Sequence, residues 1–150
     1  MYQSPQELGL PKKFKVWRDG QWEAIEAICQ SPKPVFLLDS PTGSGKSVTA
    51  IAAYSKLAYV RAVLDRMSGL RERYRAIYLT RTKQLQSQIC DDFPMARMVK
   101  GRSNYPCALW PNDFPAFTAE DCISTKDRPC DKTGGCEYLV KKGEARNAPI

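Results

Sequence analysis

The sequence predicts an α/β fold built on a parallel sheet, and this prediction depends on three observations. A short unbroken apolar run, residues 35–38, has the length and composition of a strand that is buried on both faces of a sheet. A glycine-rich loop and then a long helical pattern follow this run directly. A second apolar run, residues 76–80, comes after that helix. The order strand, loop, helix, strand is typical of parallel sheets, which bind ligands at the carboxyl ends of their strands.

The overall composition restricts the classes of function. The chain has 150 residues, a formal net charge of +7 and no histidine. Its length indicates one domain, its charge favours a polyanionic partner, and the lack of histidine excludes Ser-His and Cys-His catalysis. No run approaches the roughly 18 apolar residues that span a bilayer, and the N-terminus has no signal-peptide core. We therefore expect an intracellular protein in a reducing compartment, cytoplasmic or, in a eukaryote, nuclear.

Residues 40–47 read Ser-Pro-Thr-Gly-Ser-Gly-Lys-Ser and form the phosphate loop of the predicted fold. Gly43 and Gly45 lack Cβ atoms, so the backbone N–H groups can approach phosphate oxygens closely. Lys46 is expected to place its charge against the β- and γ-phosphates, and the Ser47 hydroxyl to bind Mg²⁺. These two are the predicted catalytic residues. The predicted nucleotide-binding residues of the loop are Pro41, Thr42, Gly43, Ser44, Gly45, Lys46 and Ser47.

Two helices are expected beside the phosphate loop. One begins near Asp19 as N-cap and carries Trp22, Ile25 and Ile28 on one face. The other runs from Lys46 to about Met67 and ends at Ser68-Gly69.

The phosphate loop resembles that of superfamily 2 helicases, in which the first position, here Ser40, is commonly not glycine. Arg18 and Gln21 precede the loop and resemble the adenine-reading element of the same helicases. A glutamine amide both donates and accepts hydrogen bonds, as the Watson–Crick edge of adenine requires. A polar first turn of a surface helix remains the alternative for these two residues.

Residues 80–88 follow the second predicted strand and combine hydroxyl, amide and cationic side chains. At a strand end and helix start, such groups suit contacts to nucleic-acid phosphates, and the candidates are Arg81, Thr82 and Gln84. On residue types alone, a capped helix with a polar face explains the segment better. Thr-Arg-Thr followed by glutamine, at this distance from the phosphate loop, resembles helicase motif Ia. A third short strand is predicted at residues 96–100.

The segment after residue 100 is rich in loops and holds four of the six cysteines, spaced C-x14-C-x7-C-x5-C. Its hydrophobic periodicity is too weak for a core of its own. Four thiolates suit either Zn²⁺ or a [4Fe–4S] cluster, and the lack of closely spaced cysteine pairs favours iron–sulfur. Zinc and, outside the cell, two disulfides remain alternatives. Cys29 and Cys90 are expected to be core residues. The predicted metal ligands are Cys107, Cys122, Cys130 and Cys136.

Residues 100–107, Lys-Gly-Arg-Ser-Asn-Tyr-Pro-Cys, and residues 136–138, Cys-Glu-Tyr, resemble the iron–sulfur DNA helicases of the DinG/XPD type. That family inserts a four-cysteine domain into its first motor domain, between motif Ia and the Asp-Glu-containing motif II. The resemblance implies a partial RecA-like sheet of the P-loop NTPase class over residues 1–99, and an inserted loop- and helix-rich iron–sulfur segment over 100–137. Residues 138–150 would form a helix that returns to the motor domain.

The resemblance also implies a function. Such a helicase uses ATP, Mg²⁺ and a [4Fe–4S] cluster, moves 5′ to 3′ on single-stranded DNA and opens forked duplexes, with Arg102 and Tyr105 as further DNA contacts. The sequence has no motif II and no second motor domain. We therefore expect an N-terminal fragment that binds ATP and is inactive alone. The alternatives are a stand-alone metal-cluster nucleic-acid-binding module with a regulatory nucleotide site, and a nucleotide kinase with a metal-stabilised lid.

Overall fold

The structure, a computed structural model of the chain, describes residues 4–69, 74–108, 116–124 and 135–150. It consists of two compact units, Met1–Ala76 and Ile77–Ile150. The boundary between these units lies inside the predicted second strand. The domain limits that the sequence suggested at residues 99 and 137 stay predictions.

The first unit contains the two helices expected beside the phosphate loop. A 3₁₀ turn at Pro5–Leu8 precedes α1 (Gln21–Gln30) and α2 (Lys46–Ser68). The N-cap of α1 is Gly20, with a φ of 76°, and not the predicted Asp19. Glycine adopts this left-handed conformation without the steric cost that a Cβ atom brings, which explains why the helix begins one residue later. Helix α2 ends at Gly69, which has a φ of 73°, and the sequence predicted this end.

Helices α1 and α2 pack together through a small apolar core. Ile25 of α1 is fully buried, and Ile51 of α2 is 2% exposed. Beside them, the thiol of Cys29 lies 3.7 Å from the carbonyl oxygen of Ala53. Burial raises the pKa of the Cys29 thiol, as expected for a cysteine that acts as a small apolar residue.

An ion pair joins α1 to α2 at the edge of this core. The ammonium group of Lys56 donates to the carboxylate of Glu26 and also lies 4.8 Å from the centre of the Trp22 ring. The hydrogen bond from Lys56 lowers the pKa of Glu26. Because the pKa in the folded state is below the ordinary value of 4.5, the stabilisation is complete above that pH and is lost as the pH falls through the lowered pKa.

We expect Glu26→Gln to lower the free energy of unfolding by about 0.5 kcal/mol at neutral pH, since the pair is partly exposed to solvent. The loss should shrink as the pH falls through the lowered pKa of Glu26, because the carboxylate of the wild-type protein then becomes protonated. Urea unfolding at neutral pH and at a series of lower pH values measures the difference. Glu23→Gln, on the exposed side of α1, is the matched control, and an equal loss in both variants would rule out the ion pair as the cause.

The three predicted strands are not formed within the described residues. The β-pairing found there is an isolated antiparallel bridge between Pro106 and Thr118. Val35 and Leu37 are 79% and 90% exposed, and Ile77 and Leu79 are 86% and 87% exposed. A strand buried on both faces needs paired neighbours and covering layers, and the described residues supply neither to these apolar runs. The RecA-like parallel sheet therefore stays a prediction.

The second unit contains α3 (Lys83–Asp92) and α4 (Glu137–Asn147), with 3₁₀ turns at Arg102–Asn104 and Asp121–Ser124. Phe93, just after α3, is fully buried. The segment that follows is tied to the end of the chain, because the backbone N–H of Arg97 donates to the carbonyl of Ile150 at 2.8 Å. Among the described residues, no helix combines the length and the apolar character that crossing a membrane requires.

Candidate nucleotide-binding site

The phosphate loop leads directly into α2, as the sequence predicted. Gly43 and Gly45 both have left-handed backbones, with φ of 82° and 87°. The N–H of Ser44 donates to the carbonyl of Pro41 at 3.2 Å and closes a turn, and the first helical bond runs from the N–H of Thr49 to Gly45 at 3.0 Å. This backbone brings the loop amides to the N-terminus of a long helix, where the helix dipole favours an anion.

Gly45 is required at its position for two reasons. Its left-handed backbone disfavours any residue with a Cβ atom. In addition, a Cβ atom built on Gly45 would overlap the side-chain amide nitrogen of Gln21. Gly43 has the same type of backbone, but its Cβ position has no neighbour within 4 Å. Gly45 is therefore a loop position at which Gln21 of α1 leaves no room for a side chain.

The two residues of the predicted adenine-reading element contact the phosphate loop. The guanidinium group of Arg18 donates to the carbonyl of Gly43. The amide nitrogen of Gln21 donates to the carbonyls of Ser44 and Gly45, at 3.1 and 3.4 Å. Gln21 is only 6% exposed, and its Oε1 accepts from the backbone N–H of Arg18 at 2.9 Å. In this arrangement the two side chains hold the loop backbone, and adenine recognition stays a prediction.

Lys46 and Ser40 complete the loop. The ammonium group of Lys46 donates to the carbonyl of Ser40 and, at 2.9 Å, to that of Pro41. The hydroxyl groups of Ser40 and Ser44 share a hydrogen bond of 2.9 Å. The sequence showed Ser40 only as a departure from the glycine of the general pattern, and its contact with Ser44 was not predicted. The signal for it was the presence of two serines four positions apart in the same tight loop.

The sequence that forms this site matches a known protein family. The family model for the DEAD/DEAH box helicase matches residues 18–106, more than half of the chain. The chain belongs to this helicase family. The match begins at Arg18, includes the phosphate loop and α3, and ends one residue before Cys107. Comparisons with curated proteins and with solved structures found no match. Membership of the helicase family implies the use of ATP and Mg²⁺ and a nucleic-acid partner.

The helicase residues that resemble motif Ia lie at the start of α3. Arg81, Thr82 and Gln84 all have exposed side chains. Thr82 is the N-cap of α3, and its hydroxyl accepts from the backbone N–H of Leu85 at 3.3 Å. The capped helix expected from residue types is therefore present. The contacts of these three residues with nucleic acid stay predictions.

Of the two further candidates for DNA contact, Tyr105 lies in the core of the second unit of the helicase chain. It is 5% exposed, and its hydroxyl accepts from the backbone N–H of Lys100 at 2.9 Å. Its ring meets that of Tyr138 at 5.6 Å between centroids, and the guanidinium carbon of Arg102 lies 5.0 Å from the centre of the Tyr138 ring. This placement leaves little of the Tyr105 ring for a base to stack on. Residue type does not distinguish a core tyrosine from an exposed one, and the DNA contacts that the resemblance implies for Arg102 and Tyr105 stay predictions.

Three of the four predicted cluster ligands, Cys107, Cys122 and Cys136, are described and half-buried, whereas Cys130 lies outside the described residues. Cys107 is held beside the antiparallel bridge, because its N–H donates to the carbonyl of Phe117 at 2.8 Å. Cys136 is the N-cap of α4. In the described part of the chain, no group of three or more potential metal-binding side chains converges. The described cysteines thus do not form a metal site in this arrangement, although thiolates are the donors that a cluster requires.

We expect Gln21→Ala to weaken the binding of ATP and GTP alike, by about tenfold, because it removes two hydrogen bonds that hold the phosphate loop. Titration calorimetry with both nucleotides in the presence of Mg²⁺ measures the effect. Gln30→Ala, at the other end of α1, is the matched control. A loss confined to ATP would contradict the loop-holding role and favour adenine recognition.

Proposed function

We propose that the chain is the nucleotide-binding part of an ATP-dependent DNA helicase of the iron–sulfur type, which moves 5′ to 3′ on single-stranded DNA and unwinds duplexes. The observation that carries this proposal is the phosphate loop, which has the two left-handed glycines, the helix start and the lysine that phosphate binding needs. The family match supports a helicase, and the resemblance around Cys107 supports the DinG/XPD type.

The residues of the chain have separate roles in this proposal. The backbone N–H groups of Gly43, Gly45 and Ser47 receive the phosphate oxygens. The Lys46 ammonium moves its hydrogen bonds from loop carbonyls to the β- and γ-phosphates. The Ser47 hydroxyl would hold the Mg²⁺ ion, which would offset phosphate charge. Arg18 and Gln21 hold the loop carbonyls away from the phosphates. On the second unit, Arg81, Thr82 and Gln84 bind the backbone of the DNA strand.

The cluster is the part of the proposal that goes furthest beyond the structure. Cys107, Cys122, Cys130 and Cys136 would hold it, and no step of nucleotide binding depends on it. The supporting observations are the number of thiols and the weak periodicity of the segment around them. Zn²⁺ would satisfy the same four thiolates, so the metal has to be determined by experiment.

Anaerobic purification followed by absorption spectroscopy and metal analysis tests the cluster. We expect a broad band near 400 nm and about four iron atoms per chain, both lost in Cys107→Ser and Cys136→Ser. Cys29→Ser and Cys90→Ser, which change thiols outside the segment, should keep the band. A colourless protein that contains stoichiometric zinc would contradict the iron–sulfur assignment and leave the nucleotide site unaffected.

The nucleic-acid preference is tested separately, by fluorescence anisotropy with single strands of DNA and RNA of the same sequence. We expect tighter binding to DNA, and weaker binding as the salt concentration rises, because phosphate contacts release counterions. Arg81→Ala should weaken binding several-fold and reduce the salt dependence. Equal affinity for DNA and RNA would contradict a DNA helicase and favour a helicase that acts on RNA.

A further inference from the structure

We propose that the hydroxyl pair Ser40–Ser44 is a brace that holds the phosphate loop in its nucleotide-binding shape, which makes both serines positioning residues for nucleotide binding. The inference rests on the proposed function of the loop. Its basis is the 2.9 Å hydrogen bond between the two hydroxyl groups, which connects the beginning of the loop to the residue before Gly45.

The brace joins two sets of contacts that also share the carbonyl of Pro41 as an acceptor. On one side, the carbonyl of Ser40 accepts from the ammonium group of Lys46. On the other side, the carbonyl of Ser44 accepts from the buried amide of Gln21, and the N–H of Ser44 donates to Pro41. The hydroxyl bond therefore links the lysine anchor to the contacts that α1 makes with the loop.

The brace adds to the contacts from Arg18, Gln21 and Lys46 in a loop that contains two glycines. Gly43 and Gly45 provide the required left-handed backbone but also give the unbound loop many alternative conformations. The side chains of Val35 and Leu37, shortly before the loop, add little packing because both are largely exposed. Ordering a flexible loop during binding costs affinity, and a bond that exists beforehand reduces this cost.

Serine at position 40 is what makes the brace chemically possible. Glycine, the residue of the general pattern at this position, has no hydroxyl group to offer to Ser44. Both serines are half-buried, so their bond competes less with water than a bond between fully exposed hydroxyls. The departure from the general pattern thus adds a contact that the general pattern lacks.

The test is a double-mutant cycle on the full chain, with MgADP binding measured by titration calorimetry. We expect Ser40→Ala and Ser44→Ala each to weaken binding by about fivefold, the effect of one lost hydrogen bond. The double variant should also be weaker by about fivefold, and not by the product of about 25-fold, because both changes remove the same bond. Ser40→Thr, which keeps the hydroxyl group, should restore affinity to within about twofold of the wild type.

Two controls separate the brace from other effects. Ser103→Ala changes an exposed serine of the second unit and should leave affinity unchanged, and circular dichroism melting of every variant reports loss of fold. Additive losses would show that each hydroxyl contacts the phosphates independently and would overturn the brace. Unchanged or tighter binding in the single variants would overturn it as well. If the folded wild-type chain binds no MgADP, the proposed nucleotide site fails and the brace with it.

Discussion

Lys46→Ala is expected to weaken the binding of MgATP by about 100-fold, the largest effect of any single change in the phosphate loop. Lys46 lies at the start of α2 with its ammonium group on the carbonyls of Ser40 and Pro41. Because these hydrogen bonds already order the Lys46 side chain, it can reach the β- and γ-phosphates without a further ordering step. Its removal takes away a charge-assisted contact and leaves the phosphate charge without a cationic partner from the loop.

Titration calorimetry with a slowly hydrolysed ATP analogue measures this loss without interference from turnover. Lys33→Ala is the matched control, because it removes an exposed lysine shortly before the same loop. Equal affinity of the wild type and Lys46→Ala would mean that the triphosphate binds elsewhere. A loss of similar size in Lys33→Ala would indicate general attraction by the positive charge of the chain.

Gly45→Ala is expected to weaken nucleotide binding by about 30-fold and to lower the free energy of unfolding by about 2 kcal/mol. Two costs combine at this position. The left-handed backbone, with a φ of 87°, is strained for alanine, and the added Cβ atom overlaps the amide of Gln21. The loop can relieve the overlap only if Gln21 leaves the carbonyls of Ser44 and Gly45.

Gly43→Ala separates the two costs, because Gly43 has a φ of 82° but no neighbour within 4 Å of its Cβ position. We expect it to lose about 1 kcal/mol of stability, the cost of backbone strain alone. Gly143→Ala in α4 should be neutral or slightly stabilising. Chemical unfolding and nucleotide titration of all three variants give the comparison, and equal effects at Gly43 and Gly45 would show that the contact with Gln21 is unimportant.

The helices and the loop could be predicted from the sequence because their signals are local. The start of α2 follows from the two loop glycines and Lys46, and its end follows from Gly69. The contact of Arg18 and Gln21 with the phosphate loop could not be predicted without a structure. Polar side chains at a helix start have many possible partners, and the choice of loop carbonyls depends on how α1 packs on α2.

For the apolar runs and the aromatic residues, the local sequence did not determine the surroundings of the side chains. Residues 35–38 and 76–80 have strand composition, but the burial of a strand depends on neighbours that local sequence does not specify. Tyr105 has the residue type of a base-stacking side chain, yet its hydroxyl and ring are used by Lys100 and Tyr138 in the second unit. Residue type alone is equally consistent with a core tyrosine and with a base-stacking tyrosine, and packing in the folded chain distinguishes the two.

The central claim is that the backbone amides of the phosphate loop receive the phosphates of a nucleotide. Two-dimensional ¹H–¹⁵N NMR of the chain, titrated with MgADP, tests this most directly because each loop residue reports individually. We predict saturable shifts at the amides of Gly43, Gly45 and Ser47, absent in Lys46→Ala. Saturation with no shift in these amides, or a folded protein whose spectrum does not change at all, would contradict the claim.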